Sequence, residues 1–388
     1  MNRYGLLILP ATNRVYARSA VDLTQAELEI FGRSALDGRI GDLATETVGG
    51  ASYVTFSGDG LTERDLAVLG NLSAGYALFE FVGELLRPVE WSRLDRYDDD
   101  LLTILKYPGK TNEQFTKLLL NVTLLASDWA GELTSRRFRV LDPLCGRGTT
   151  LNQALMYGFD ASGVERDQKD VEAYRAFVTT WLKQKRLKHR VLESGPVRRE
   201  RKVVGRRVRI ELASTREEHK AGNVQLLDVV NADTTRAGEF FRPETFDLLV
   251  ADAPYGVQHG SRTAEHGLTR GPLALLEEAA PVWARLLRPG GALGISWNTH
   301  VADRDAAAAA LDAAGLSVID AQPYQALRHR VDQSIMRDIL VAPPPPRPPA
   351  PPPPPPPARG VPDPAGAAQG RHRGDQGEVV GAARVHAA

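Results

Sequence analysis

Leu141-Asp142-Pro143-Leu144-Cys145-Gly146-Arg147-Gly148-Thr149-Thr150 is the stretch whose reading decides the fold. An apolar run ends in an acid, a turn with two glycines follows, and hydroxyl residues then open a helical pattern. In an open α/β sheet, ligands bind at such a strand–loop–helix junction, outside the carboxyl end of the strand. Gly146 and Gly148 remove side chains, so a ligand can approach the backbone there. Thr149 and Thr150 begin a helix whose first amides point toward the same place.

Reading outward, strands are expected at Arg139–Asp142, Ala161–Glu165, Val224–Asp228 or slightly later, Asp247–Asp252, Ala292–Trp297, Leu316–Ala321 and Ile335–Val341. Helical patterns fall near Thr149–Tyr157, Gln168–Lys185, Leu273–Leu287 and Ala302–Ala314. Strands separated by helices predict a mainly parallel sheet covered on both faces, with the last two strands an antiparallel pair at one edge. Glu165 ends the second strand, where a carboxylate can accept hydrogen bonds from both ribose hydroxyls. Asp233, after the third strand, can hold an adenine amino group. A nicotinamide-binding fold shares these features, but this loop lacks the third glycine of the dinucleotide fingerprint. Asp142 also has the wrong charge for a pyrophosphate and the right one for the ammonium and sulfonium of S-adenosylmethionine. The cofactor expected is therefore S-adenosylmethionine, held by Asp142, Pro143, Cys145, Gly146, Gly148, Thr149, Glu165 and Asp233. Cys145 sits inside the glycine loop, where it reads as a small packing residue and not as a thiol nucleophile aimed at a base.

Asp252-Ala253-Pro254-Tyr255-Gly256 follows the expected fourth strand. The exocyclic amine of a nucleobase is a weak nucleophile because its lone pair is delocalised into the ring. The Asp252 carboxylate and the Ala253 carbonyl can each accept one of its N–H groups, turning the lone pair toward a methyl donor. Pro254 holds the preceding residue extended, and Tyr255 can stack on the base. These four are the expected catalytic residues.

The two segments together resemble the Rossmann-fold RNA methyltransferases that make N2-methylguanosine, the tRNA guanosine-10 N2-methyltransferases among them. The resemblance covers about residues 107–342 by motif and the N-terminal unit by element order. It implies a class I methyltransferase domain, guanosine in RNA, with tRNA foremost, as substrate, and a role in tRNA processing. Two departures stand out. The family clamp is usually Asp-Pro-Pro-Tyr, whereas Ala253 replaces its first proline here, and ninety N-terminal residues leave no room for a full THUMP domain. The clamp chemistry by itself also fits a DNA adenine or cytosine amino methyltransferase, and a non-catalytic RNA-binding protein would keep the same fold.

Residues 1–90 read as a ferredoxin-like α+β domain. They comprise a strand at Tyr4–Leu9, a helix from about Asp22 to Leu36 capped by Thr24 and Glu27, two strands flanking Gly49-Gly50, a helix starting near Thr62, and a strand at Tyr76–Leu86. Residues 91–135 form a linker and helix, in which Lys110, Thr111 and Asn112 are further candidates for the cofactor pocket. Residues 136–342 form the methyltransferase domain. Residues 343–388 form a Pro-rich tail whose composition predicts disorder.

Across 388 residues, 48 Lys and Arg balance 48 Asp and Glu, yet the basic residues are unevenly placed. Residues 183–209 carry a dozen Lys and Arg against Glu193 and Glu200, a basic insertion suited to nucleic-acid phosphates. Gln258–Arg270 reads as a loop closing over the base. Its His259 and His266 have no accompanying acidic or thiol ligands, so no metal is expected. Arg328, His329 and Arg330 form a further basic candidate. The single cysteine excludes an intramolecular disulfide, and no apolar run approaches the ~20 residues of a membrane span. A cytoplasmic protein is expected, with Tyr4–Ala11 a strand and not a signal-peptide core. The sequence names no protein partner.

Overall fold

The computed structural model describes residues 1–10, 14–107, 109–253 and 271–343. Its N-terminal part runs β1 (Asn2–Ile8), α1 (Arg14–Ser34), β2 (Ile40–Val48), β3 (Ala51–Gly58), α2 (Glu63–Leu69), β4 (Gly75–Val82) and β5 (Leu85–Val89). The strands form one antiparallel sheet in the order β2-β3-β1-β4-β5, a ferredoxin-like arrangement with one added edge strand. Gly49 and Gly50, at φ 59° and 83°, make the tight β2–β3 turn that needs left-handed backbone.

Two expectations are corrected here. The single strand at Tyr76–Leu86 is broken at Gly83 (φ 61°), and the chain doubles back as β5. Pro88 then lies on the sheet edge, where its missing N–H costs no ladder bond. The first helix starts well before Asp22, so Thr24 and Glu27 are interior residues and not a cap. The Thr24 hydroxyl donates to the Ala20 carbonyl at 2.6 Å. Glu27 is wholly buried and accepts from the Ser73 amide and hydroxyl and from the Asn121 side chain. Burial raises its pKa. The carboxylate thus ties α1 to the helix that carries Asn121, Glu113–Leu125, a long-range role that local spacing does not reveal.

The second part comprises α3 (Asp100–Thr103), α4 (Glu113–Leu125), β6 (Arg139–Asp142), α5 (Thr149–Met156), β7 (Asp160–Glu165), α6 (Gln168–Gln184), β8 (Lys188–Arg199), β9 (Lys202–Ala213), α7 (Arg216–Lys220) and β10 (Gln225–Asn231). It continues through β11 (Phe246–Asp252), α8 (Pro272–Leu286), β12 (Leu287–Asn298), α9 (Arg304–Asp312), β13 (His329–Arg330) and β14 (Met336–Ala342). The sheet order is β13-β14-β12-β11-β6-β7-β10-β9-β8. Its five central strands are parallel. β14 runs antiparallel to β12. This is a Rossmann-like, doubly wound arrangement.

From β6 the chain steps outward through β7 to β10 and then crosses back to β11 on the other side of β6. The switch point lies between β6 and β11, where the carboxyl ends of neighbouring strands diverge and leave a crevice. Asp142 ends one of these strands and Asp252 the other. Topology therefore brings residues 110 positions apart to the same rim.

The expected strand at Leu316–Ala321 does not form. Leu316 is buried in the core and the Ile319 amide donates to the Val341 carbonyl, but the ladder stops there. β14 instead pairs with β12 and the two-residue β13. The basic insertion, for its part, folds. β8 and β9 make a long antiparallel hairpin that extends the sheet beyond β10. Its inner half is anchored by Val208, Ile210 and Leu212, all buried, and by Arg207, whose guanidinium donates two hydrogen bonds to the buried Asp228 carboxylate.

Candidate functional site

At the switch point, Gly146 and Gly148 both adopt left-handed backbone, φ 48° and 79°. Their surroundings differ. A Cβ on Gly148 would lie 2.4 Å from the Tyr174 ring, so this glycine is required for packing of the loop on α6. A Cβ on Gly146 would meet nothing within 4 Å; it faces open space, as the expected close approach of a ligand to backbone demands. The Gly146 amide donates to Glu165 at 2.9 Å, which ties the loop to the end of β7.

The loop borders a cavity of about 290 Å³. Asp142, Cys145, Gly146 and Thr149 line one side, and Asp252 and Ala253 the other. Asp142 is buried and accepts from the Leu144 amide at 3.0 Å. Burial is the main reason its pKa is pushed up to about 7, and the neighbouring Asp252 and Glu165 carboxylates push the same way. Glu165, at the end of β7 and not on the cavity wall, is half-buried and raised by burial, although the Asp167 and Gly146 amides favour its charged form. With Asp170 matched by Arg147 at 2.7 Å, the lining carries a net negative potential and suits a cationic ligand.

Asp252 is held in place by Thr111, whose hydroxyl donates to its Oδ2. The Ala253 amide donates to the Ser296 carbonyl of β12 at 3.2 Å, fixing the backbone just past β11. Pro254 and Tyr255, the other two clamp residues, lie outside the described residues. So do Gln258–Arg270, His259 and His266 within it, and the tail beyond residue 343.

The remaining expected residues lie close by. Pro143 is buried behind the loop. Asp233 is not on the cavity wall; its carboxylate accepts from the Thr235 amide and hydroxyl at the turn after β10, while the Ala232 amide donates to the Glu165 carbonyl. Cys145 is buried with its sulfur against β7, where a Cβ on Gly163 would lie 2.6 Å away. Burial pushes the thiol pKa well up, the opposite of an activated nucleophile.

Of the three linker candidates, Thr111 reaches the cavity. Lys110 binds Glu113 and the Leu102 carbonyl, and Asn112 caps α4 through the Phe115 amide. Tyr107 is a wall residue that sequence reasoning missed. Its hydroxyl lies 3.0 Å from the Thr149 hydroxyl, and the Arg147 guanidinium sits 5.0 Å over its ring. The only signal for it was an aromatic residue in a turn-rich segment; its position depends on how that segment folds back over the loop.

At the far edge, Arg206 on β9 is in register with Asn231, the last residue of β10. The rest of the hairpin therefore runs past the carboxyl ends of the parallel strands by about 15 Å, at ~3.3 Å per residue. That tip holds Arg198, Arg199, Arg201 and Lys202 against Glu200, all exposed. It overhangs the same rim of the sheet as the cavity.

Among the described residues, no group of three or more His, Cys, Asp or Glu is placed to hold a metal ion, and no helix is long and apolar enough to cross a membrane. No protein-family model matches the chain, and no characterised protein sequence matches it. Solved structures do. The chain is similar to a TehB-like SAM-dependent methyltransferase from Corynebacterium glutamicum, at 15% identity over 54% of this chain and 82% of that one, with TM-score 0.30. It is similar to an rRNA methylase from Streptococcus thermophilus, at 11% identity over 55% and 90%, TM-score 0.29. It is also similar to a Burkholderia thailandensis 1,6-didemethyltoxoflavin-N1-methyltransferase, at 15% identity over 62% and 93%, TM-score 0.31.

Proposed function

We propose that this protein is an S-adenosylmethionine-dependent methyltransferase that modifies the exocyclic N2 amine of guanosine in RNA, with tRNA as the substrate. The observation that carries the reading is a single acid-lined cavity with Asp142 and the open backbone of Gly146 on one wall and Asp252 with Ala253 on the other. The first wall fits the cofactor: its negative charge suits an ammonium and a sulfonium, and Gly146 leaves room for a ligand against the backbone. Glu165, braced by two amides, is the residue for the ribose hydroxyls, and Asp233 for the adenine. Bound there, S-adenosylmethionine supplies an electrophilic methyl group.

The chain itself orients the amine. Asp252 and the Ala253 carbonyl accept its two N–H groups, so the nitrogen lone pair turns out of conjugation as positive charge develops. Thr111 holds the carboxylate in place through its Oδ2. Tyr255 is the stacking residue for the base. No strongly basic residue is needed, because the amine loses its proton easily once alkylated. The basic hairpin tip, hanging over the same rim, supports a polynucleotide substrate over a small molecule.

The test is methyl transfer from labelled cofactor to bulk tRNA, rRNA and DNA, followed by nucleoside analysis. N2-methylguanosine in tRNA is the expected product. Methylated adenine or cytosine in DNA would replace the substrate assignment, and cofactor binding without transfer to any nucleic acid would reduce the chain to a binding protein.

A further inference from the structure

A second cavity, of about 510 Å³, lies on the large sheet away from the cofactor site. Inner strands of a parallel sheet are normally apolar on both faces, because helices cover both. Here one face changes character along its length. Toward the carboxyl ends it carries Leu141, Val164 and Val230, all buried. Toward the amino ends the same face carries Arg139 on β6, Asp160 and Ser162 on β7, and Asp228 on β10. The chain from β10 to β11 forms a six-residue 3₁₀ turn, Thr234–Glu239, in place of a helix, and the loop after it walls the cavity with Phe240, Phe241 and Arg242.

Guanidinium donors exceed carboxylate acceptors on this wall, which four arginines and two aspartates line. Asp228 is 3% exposed and is matched by Arg207, at 2.7 and 2.6 Å. Arg209 Nε lies 3.3 Å from the same carboxylate, yet is buried without a hydrogen bond. Asp160 accepts from the Leu226 amide at 2.8 Å and pairs at 3.1 Å with Arg137, which stands outside the lining. Glu193 faces Arg209 from β8 and offsets one more charge. Among the described residues, the Arg139, Arg209 and Arg242 side chains and the Ser162 hydroxyl make no hydrogen bond within the protein. A buried guanidinium N–H without an acceptor is uncommon, and marks a place suited to an anion.

Arg209 is in register with Asp228, Asp228 with Ser162, and Arg139 with Asp160. Three strand spacings, about 14 Å, therefore separate Arg139 from β9. Extended arginine side chains from the two strands can close that span on a group held between them above Ser162, with Arg242 entering from the loop. Three guanidiniums from separate elements exceed the two oxygens of a carboxylate. A phosphate monoester offers three terminal oxygens and two charges to such a set. Phe240 and Phe241 add an apolar wall, and the Arg207 guanidinium lies 5.4 Å over the Phe241 ring. The volume leaves room for an organic group beside the phosphate.

We infer that this cavity binds a small phosphorylated ligand of nucleotide size, its phosphate held by Arg139, Arg209, Arg242 and the Ser162 hydroxyl and its organic part set against Phe240 and Phe241. Asp228 precedes the end of β10 by three residues and Asp160 precedes the end of β7 by five. The site therefore lies roughly 10–17 Å back from the rim that carries the cofactor cavity. It is separate from that cavity and stands without the methyl-transfer reading. Because Arg209 belongs to β9, a ligand here also braces the base of the basic hairpin.

The probes are inorganic phosphate, adenosine 5′-monophosphate and adenosine, each titrated by calorimetry into the full chain saturated with S-adenosylhomocysteine, which keeps them out of the cofactor cavity. The nucleotide is expected to bind about tenfold more tightly than adenosine, through the charge-assisted hydrogen bonds of its phosphate, and to displace inorganic phosphate. Arg139 and Arg242 are exposed, so their replacement leaves the fold intact. Arg139→Gln and Arg242→Gln should each weaken phosphate and nucleotide about fivefold or more, with S-adenosylhomocysteine affinity and unfolding temperature unchanged. Asp252→Asn should leave both probes unaffected. Absence of phosphate and nucleotide binding, or binding unchanged in the two arginine variants, overturns the site. Loss of binding in Asp252→Asn also overturns it, by moving the ligand to the cofactor cavity. If the arginine variants weaken tRNA binding and leave the nucleotide untouched, the surface belongs to a nucleic acid and the small-ligand site falls.

Discussion

The Thr111 hydroxyl donates to Oδ2 of Asp252 across 141 residues of chain, linking the segment before α4 to the end of β11. The bond holds the Asp252 carboxylate by Oδ2, so it sets the direction in which the carboxylate faces a substrate amine. A hydrogen bond to a charged group contributes about 1.5–3 kcal/mol. Thr111→Val should therefore lower kcat by about 10- to 100-fold, with the dissociation constant for S-adenosylhomocysteine little changed. Unchanged kcat would show that Asp252 is oriented without it.

Asp252→Asn replaces an acceptor-only carboxylate by a group with its own N–H donors. Turnover should be abolished and cofactor binding, measured by calorimetry, should remain. Methyl transfer by the variant near the original rate would remove Asp252 from the mechanism.

Asp142 provides a pH signature. Its pKa is pushed up to about 7 in the folded protein, against an ordinary value near 3.8, because burial disfavours the charged form. A cationic cofactor needs the carboxylate ionised, so affinity should fall as pH drops below about 7, approaching tenfold per unit. Stability should move the other way. Between the ordinary and raised values the folded state holds the extra proton, so stability declines as pH rises through that window and levels off above it. Asp142→Asn should flatten both profiles, weaken S-adenosylmethionine binding at pH 8 and raise the thermal midpoint there. A variant with the original pH profile for binding would show that another group governs it.

The two loop glycines should respond differently to alanine. Gly148→Ala sets a methyl group against Tyr174 in left-handed backbone, and should destabilise the fold by about 3 kcal/mol or more. Gly146→Ala meets no neighbour and should cost only about 1 kcal/mol of backbone strain, but its methyl group enters the cavity and should weaken cofactor binding. Denaturant midpoints and calorimetry on the two variants separate these effects. Cys145→Ala, by contrast, should retain methyl transfer, because the buried thiol packs against Gly163 and takes no part in the chemistry.

The hairpin tip should act through salt. Replacing Arg198, Arg199, Arg201 and Lys202 by glutamine should reduce the slope of log affinity for tRNA against log salt by about 3, at roughly 0.7–0.9 per phosphate contact. Transfer to a substrate too short to reach the tip should be unaffected. An unchanged slope would place the nucleic-acid surface elsewhere.

Much of this molecule was legible in the chain because its signals are local. The periodicity of Gln168–Lys185, the Gly49-Gly50 turn and the strand–glycine–helix junction at 141–150 each depend on residues a few positions apart, and backbone sterics translate such patterns directly into structure. Even the charge of Asp142 carried information, since its sign alone distinguishes a cationic ligand from a pyrophosphate.

What the tertiary structure decided depends on partners far away in sequence. Glu27 has the spacing of a cap yet becomes a buried tie to Ser73 and Asn121, because packing of α1 on α4 overrides local propensity. Leu316–Ala321 has the composition of a strand, yet only its Ile319 amide reaches β14, at the Val341 carbonyl, and β13 is the strand that pairs there. The basic stretch reads as an insertion of unknown form; only pairing of β9 with β10 turns it into a hairpin aimed past the rim. Tyr107 and Thr111 enter the site because the chain before α4 folds back over a crevice made at the switch between β6 and β11. Residue types and local geometry are written in order along the chain, whereas the meeting of Asp142 with Asp252 is a consequence of strand order.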